Sequence, residues 1–236
     1  ADAVRKNFMH FKTQNPSHYI ILSGDQLYKM DLNLFMESHI KSKAQITIAT
    51  TAVTREDATG FGIMKIDKAN RITAFMEKPK TDLDISDWKI PDGSRTAGAT
   101  QGKDYLASMG IYIFDADILE SALNNQLTDF GKEVIPAAIK KYKVSSYVYD
   151  GYWEDIGTIR SFYEATMDLT RISPKFNFYD EDKPIFTHIR NLPPSKMNKA
   201  ILNRATASEG CVVTEASITD SVIGIRSVIE KGTVLE

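Results

Sequence analysis

The sequence predicts an α/β sheet domain that leads into the start of a parallel β-helix. Three observations carry that reading. Over residues 1–172, short apolar or β-branched runs alternate with segments of helical period, the pattern of a sheet covered by helices. A Pro-rich, aromatic stretch interrupts the alternation between Ser173-Pro174 and Pro193-Pro194-Ser195. Beyond it, Ser221-Val222-Ile223-Gly224 is echoed by Ser227-Val228-Ile229-Glu230 and by Thr233-Val234-Leu235-Glu236, six residues apart each time. A six-residue period with aliphatics at fixed corners lets each coil bury its corner residues on the next. A plain strand pair would not repeat three tetrapeptides in register. The predicted organisation is a domain over 1–172, an ordered linker over 173–198 and the β-helix over 199–236.

Each element has its own reason. Ala3, Val4, Phe8 and Phe11 recur at helical spacing with Arg5, Lys6 and Lys12 between them, and Asn15-Pro16-Ser17 breaks the helix they predict. Residues 19–22 (YIIL) are apolar without alternation, which predicts a strand buried on both faces, as parallel sheets require. Residues 31–42 carry Leu32, Leu34, Phe35 and Ile40 and read as a helix. Residues 44–53 (AQITIATTAV) are β-branched and alternating, a second strand. Strands follow over 63–66, 72–77 and 106–114, and helices over 115–125 and near 131–142. Residues 79–104 are polar and aperiodic, which predicts a long surface insertion of the kind that covers a site.

With 42% hydrophobic and 25% charged residues, the 236-residue chain suits a globular protein with a real core and excludes a collagen or a disulfide scaffold. A net charge of -2 gives no basic field for nucleic acid or an anionic membrane, and neither partner is expected. The single cysteine, Cys211, excludes an internal disulfide and reads as a small buried apolar residue. No apolar stretch approaches the roughly 20 residues of a spanning helix, and no signal-peptide pattern opens the chain. A cytoplasmic setting is expected, or a plastid if the source is a plant. Both ends fall inside patterns, so the chain is expected to be internal to a longer protein.

Asp25 follows the 19–22 run, at the strand end where open α/β sheets bind ligands. Asp155 lies in Tyr152-Trp153-Glu154-Asp155-Ile156-Gly157-Thr158, an acidic turn before a helix. Two such carboxylates suit a shared Mg2+, which takes oxygen ligands and bridges substrate phosphates; each alone equally suits a helix cap or a turn. Glu77-Lys78-Pro79 closes a strand. The lysine is a compact cation suited to a phosphate and the glutamate a hydroxyl acceptor, or the two are a solvated pair. Gly62 and Ser108 lie in Gly60-Phe61-Gly62 and Ser108-Met109-Gly110, read as strand starts where backbone can approach a ligand or simply turn. No G-x-G-x-x-G or Walker loop occurs. His10, His18, His39 and His188 are scattered without metal-ligand spacing, and the first three read as packing or surface residues.

At LSGDQLY (22–28), FGIMKID (61–67), FMEKP (75–79), SMGIYIF (108–114) and YWEDIGTIRSFYEA (152–165), the sequence resembles the ADP-glucose pyrophosphorylases, or glucose-1-phosphate adenylyltransferases. The opening ADAVRK, NLPPSK (191–196) and SVIGIRS (221–227) extend the likeness along essentially the whole chain, most weakly over 79–104. The resemblance implies a Rossmann-like mixed-sheet nucleotidyltransferase domain followed by a left-handed parallel β-helix. It implies the conversion of ATP and glucose 1-phosphate to ADP-glucose and pyrophosphate, in glycogen or starch synthesis. By position it assigns Mg2+ to Asp25 and Asp155, the sugar phosphate to Lys78 and the sugar hydroxyls to Glu77, with Gly62 and Ser108 in the same pocket. It further implies a homo- or hetero-tetramer with an anionic metabolite effector near the junction, at positions matching His188 and Arg190. Arg190 has the planar fork that suits phosphate; at position 188 the plant branch often has Gln.

The family's Gly-rich amino-terminal signature, with its Arg and Lys, and most of its β-helix are not in this sequence. Two competing readings follow. One is another sugar nucleotidyltransferase, for instance one using UTP and an acetylated hexosamine phosphate. The other is a catalytically silent regulatory subunit of a hetero-oligomer, which the retention of Asp25, Asp155 and Lys78 opposes. The purified 236-residue chain is accordingly expected to form no ADP-glucose from ATP and glucose 1-phosphate; detecting that product would contradict the expectation.

Overall fold

The computed structural model describes residues 1–92, 94 and 102–236; residues 93 and 95–101, inside the predicted 79–104 insertion, lie outside the described residues. The chain divides into two compact units, Ala1–Gly24 with Met30–Gly151, and Asp25–Lys29 with Tyr152–Glu236. In chain order the elements up to residue 168 are α1 (Asp2–Lys12), β1 (His18–Ile21), β2 (Gln26–Tyr28), α2 (Leu32–Ser42), β3 (Ile46–Val53), β4 (Gly62–Ile66), β5 (Ile72–Glu77), β6 (Tyr105–Asp115), α3 (Ala116–Leu123), α4 (Ile135–Ile139), β7 (Val144–Val148), β8 (Trp153–Asp155) and α5 (Ile159–Asp168). Among the described residues no helix is long and apolar enough to cross a membrane.

The first unit is built on a mixed sheet in the order β5-β4-β6-β3-β7, with β1 also paired to β6. The β3–β7 ladder is parallel and the others are antiparallel. β6 is the spine, with β3 along one edge and β1 and β4 sharing the other. Pairing reverses the roles predicted for two strands. β3, read as alternating, lies between β6 and β7 and has Ile46, Ile48 and Ala49 at 0% exposure. β1, read as buried on both faces of a parallel sheet, is antiparallel and half-buried, with Ile20 exposed. A short apolar run does not reveal which of its faces is covered; its ladder partners decide that.

Helix boundaries follow local chemistry. Asp31 Oδ1 accepts from the backbone N–H groups of Asn33 at 2.8 Å and Leu34 at 3.4 Å, capping α2. Lys43, at φ 49°, ends it in a left-handed turn. The buried face of α2 carries Phe35 and His39, whereas Leu34 and Ile40, predicted as part of the apolar stripe, are exposed. The helix predicted near 131–142 opens as a π-helical turn at Phe130–Val134 and continues as α4 only to Ile139. Pro136 sits in the first turn of α4, immediately after the π-helical turn, and its missing N–H interrupts the bond series that Val134 and Ile135 donate to Asp129 and Phe130. The predicted insertion is pinned where it is described: Ile85 and Ile90 are buried, and Trp88 packs against the cluster that contains Val53, Ile63 and Tyr105.

In the second unit the chain coils. β9 (Lys196–Asn198), β11 (Val212–Thr214) and β13 (Val228–Ile229) form one parallel ribbon; β10 (Ile201–Ala207), β12 (Ser217–Ile223) and β14 (Val234–Leu235) form another. Lys196 stacks on Val212 and Val212 on Val228. The third residue of each tetrapeptide faces the coil interior: Ile223 and Ile229 are buried with Cys211, Val213, Ala216 and Ile218, and Leu235 packs on them. The second residues, Val222, Val228 and Val234, face out.

His39 is nearly fully buried, with Nδ1 2.7 Å from Thr47 Oγ1 and Nε2 3.0 Å from Asp115 Oδ1. Burial holds its imidazole below the usual histidine value, against the opposing pull of Asp115. Since the unfolded chain then binds the proton more readily, the neutral side chain's contribution to stability is complete above about pH 6.5 and is lost as pH falls through the depressed value. The expected result is an NMR titration of His39 with a midpoint below about 6.5 and a urea midpoint that declines over the same range. A raised midpoint, with stability lost on going alkaline, would contradict this.

Candidate active site

Asp25 and Asp155 belong to one two-stranded ribbon in the second unit. β2 pairs antiparallel with β8, setting Gln26 opposite Asp155, Leu27 opposite Glu154 and Tyr28 opposite Trp153. The Ile156 N–H donates to the carbonyl of Asp25 at 3.1 Å, and Trp153 Nε1 donates to Gln26 Oε1 at 3.1 Å. This ladder brings side by side two residues far apart in sequence. Asp155 Oδ1 accepts from the Gly157 N–H at 2.9 Å. A Cβ at Gly157 would lie 3.0 Å from Asp155 Oδ1 and 3.7 Å from Asp25 Oδ2, so both carboxylates lean over the residue that has no side chain. The turn then enters α5 through a capping box, Thr158 Oγ1 accepting from the Ser161 N–H at 3.0 Å and Ser161 Oγ from the Thr158 N–H at 3.2 Å. Asp25 is exposed and Asp155 half-buried. An oxygen-only donor pair open to solvent on one side fits a hard divalent cation that keeps part of its water shell.

The other predicted substrate residues lie in the first unit. Gly62 stands opposite Glu77 in the β4–β5 ladder. A Cβ on Gly62 would meet Phe75 Cζ at 2.5 Å and Glu77 Oε2 at 3.0 Å, so only glycine lets that ring and carboxylate cross β4. Lys78 follows at φ 42°, its N–H donating to the Phe61 carbonyl at 3.0 Å, and its side chain is exposed at the end of β5. Ser108 does not begin a strand, as predicted, but lies inside β6 beside a bulge. Ile48 faces Tyr112 while Thr50 faces Ser108, and Gly110 between them takes φ 69°. The bulge lets the Ser108 and Tyr112 side chains bond to each other.

Tyr112 is the residue that ties this cluster together and that sequence reasoning missed. Burial pushes its hydroxyl up to about 12, with the Asp129 and Glu77 carboxylates adding to the rise and the Ser108 bond opposing it. It therefore keeps its proton and remains a donor among carboxylates. The signal was present: Tyr112 falls in SMGIYIF, four residues after Ser108 on the far side of Gly110. Asp129, at the cap of the π-helical turn, was likewise unmarked.

His188 and Arg190 line a pocket of about 490 Å3 in the second unit, with Ile189, Asn191, Leu192, Ile225 and Arg226. Arg226 was missed because SVIGIRS was read for its repeat and its family likeness and not for its arginine. At φ 58° it turns out of the coil, with its N–H donating to the Glu209 carbonyl at 3.2 Å. Two guanidinium groups and an imidazole around one open pocket supply the chemistry for an anion.

The nucleotidyl transferase family matches residues 1–172. A second match, to the GLGC left-handed parallel β-helix domain, covers residues 190–236 and accords with the coil of parallel ribbons. The chain belongs to the nucleotidyl transferase family.

The Gly62 geometry gives a paired test. Gly62→Ala forces the Phe75 ring or Glu77 aside and is expected to cost about 1–3 kcal/mol in urea unfolding. Gly60→Ala has no atom within 4 Å of the new Cβ and is expected to leave stability unchanged or slightly raised. Equal effects at the two positions would contradict the assignment.

Proposed function

We propose that this nucleotidyl transferase is a glucose-1-phosphate adenylyltransferase, joining ATP and glucose 1-phosphate into ADP-glucose and pyrophosphate. A phosphate oxygen of the sugar phosphate attacks the α-phosphorus of ATP. The new O–P bond forms as the bond to the bridging oxygen of the β-phosphate breaks, and pyrophosphate leaves with that electron pair. No proton has to move, so the protein's task is to align two anions and offset their mutual repulsion.

The convergence of Asp25 and Asp155 over Gly157 is the observation that carries this reading. These carboxylates would hold Mg2+, which supplies charge neutralisation on the phosphate oxygens when bound. Lys78 offers a point charge to the sugar phosphate. Glu77 accepts from sugar hydroxyls, and Ser108 with the protonated Tyr112 supplies hydroxyl partners. Gly62 permits the crossing of β4 that fixes Glu77. The choice of adenylyl donor and of glucose 1-phosphate draws on the motifs around 22–28, 75–79 and 152–165, and the GLGC β-helix match supports it. In the same reading His188, Arg190 and Arg226 take an anionic metabolite effector, in a homo- or hetero-tetramer.

The test uses the full-length protein that carries this chain. Asp155→Asn is expected to lower kcat by about 100-fold or more, the loss typical of removing a group that offsets transition-state charge. Lys78→Ala is expected to raise KM for glucose 1-phosphate roughly tenfold or more with a smaller change in kcat. Preference for UTP with an acetylated hexosamine phosphate would overturn the substrate assignment. A folded protein without turnover on any of the four nucleoside triphosphates would favour a silent regulatory subunit instead.

A further inference from the structure

In the first unit, away from the residues of the proposed reaction, three side chains from separate elements meet at one edge of the sheet. His18 on β1 stands directly opposite Asp115 on β6 in the antiparallel ladder. His39 reaches the same carboxylate from α2. Its Nε2 lies 3.0 Å from Asp115 Oδ1, and the Nε2 of His18 lies 3.5 Å from that same oxygen. The three potential donor atoms all lie within 4.8 Å of one another, and among the described residues this is the group of His, Cys, Asp or Glu with metal-ligating closeness.

Two features show a cluster set up around its Nε2 atoms. Each ring has its Nδ1 engaged by a hydroxyl, His39 by Thr47 Oγ1 at 2.7 Å and His18 by Ser17 Oγ at 2.8 Å. When Nδ1 carries the proton and donates to the hydroxyl, Nε2 presents a lone pair; metal-bound histidines are oriented in this way by an outer partner. The second feature is Asp115 itself. It occupies the N-cap position of α3, yet its side chain caps no backbone N–H of that helix. The carboxylate turns to the imidazoles instead.

We propose that His18, His39 and Asp115 form a binding site for a divalent transition metal of the zinc class. Two imidazole nitrogens and one carboxylate oxygen are a borderline donor set that suits Zn2+ or Co2+, whereas Mg2+ prefers oxygen alone. Tetrahedral zinc with ligands at about 2.0–2.1 Å holds them about 3.3 Å apart. The two Nε2-to-Oδ1 distances of 3.0 and 3.5 Å bracket that value, so closure needs mainly a small approach of the rings, which stand edge to face at 5.2 Å. His39 is buried while His18 and Asp115 are 28% and 32% exposed, which opens a path for entry and leaves a fourth position for water. When an Nε2–H donates to Asp115 in the metal-free cluster, metal binding at that nitrogen moves the proton to Nδ1 of the same ring, where it donates to the hydroxyl, and the imidazole stays neutral. Bound metal would clip β1, α2 and β6 together.

The test is titration of the whole, chelator-stripped chain with Zn2+ and, separately, Co2+. One equivalent of Zn2+ is expected to bind by calorimetry and to raise Tm, and Co2+ is expected to give the intense visible bands of a tetrahedral N/O site. His18→Gln removes the accessible ligand with little disturbance of the core and is expected to weaken binding at least tenfold. Thr47→Val removes only the outer hydroxyl and is expected to weaken it roughly 10–100-fold. Asp25→Asn is expected to leave Zn2+ binding unchanged, which separates this site from the proposed magnesium pair. The proposal is overturned if the folded, stripped chain binds no Zn2+, or if His18→Gln binds it as tightly as the parent.

Discussion

Two negative charges held against one backbone glycine are the constraint on which the account of this molecule rests. Asp25 and Asp155 come from opposite ends of a long stretch of sequence, and the β2–β8 ladder fixes their backbones before either side chain contributes. Two carboxylates so placed are an oxygen donor pair, and in the proposed function a divalent cation stands between them. Gly157 eases the approach, since a methyl group there would press on Asp155 Oδ1 at 3.0 Å and touch Asp25 Oδ2 at 3.7 Å. The Thr158–Ser161 capping box then fixes the direction in which the chain leaves the turn.

The first unit shows how a strand irregularity can bring distant side chains together. A regular β6 would alternate Ser108, Gly110 and Tyr112 on one face, too far apart along the strand for their hydroxyls to meet. The bulge at Gly110 shortens that distance and lets a buried tyrosine bond to a serine. Gly62 works by subtraction on the neighbouring strand, where its missing side chain is the path taken by Phe75 and Glu77. The proposed placement of these groups depends on backbone geometry that particular glycines permit.

Much of this was legible in the sequence, for reasons that differ by element. The helix α2 was legible from Leu32, Leu34, Phe35 and Ile40, although the Asp31 cap that fixes its start was not read. The hexapeptide echo marked the β-helix because every coil solves the same packing problem with the same aliphatic corner. The first coil strand, Lys196–Asn198, was not legible: all three of its residues are exposed, including Met197, which stacks on the inward-facing Val213. Burial of β1 and β3 was misassigned because coverage is a property of the neighbours. The His18–His39–Asp115 cluster was invisible for a related reason. Its members share no spacing, and only the β1–β6 register and the buried face of α2 bring them together. Tyr112 and Arg226 lay inside motifs already singled out, but they were hidden by attention to the glycines and the repeat around them.

A double-mutant cycle on kcat/KM in the full-length protein, with Asp25→Asn, Asp155→Asn and both together, tests the shared-cation account most directly. If the two carboxylates hold one ion, the second substitution removes little that the first has left, and the coupling is expected to reach about 1–3 kcal/mol. Losses that simply multiply would mean that the two side chains act independently, and the account would fail.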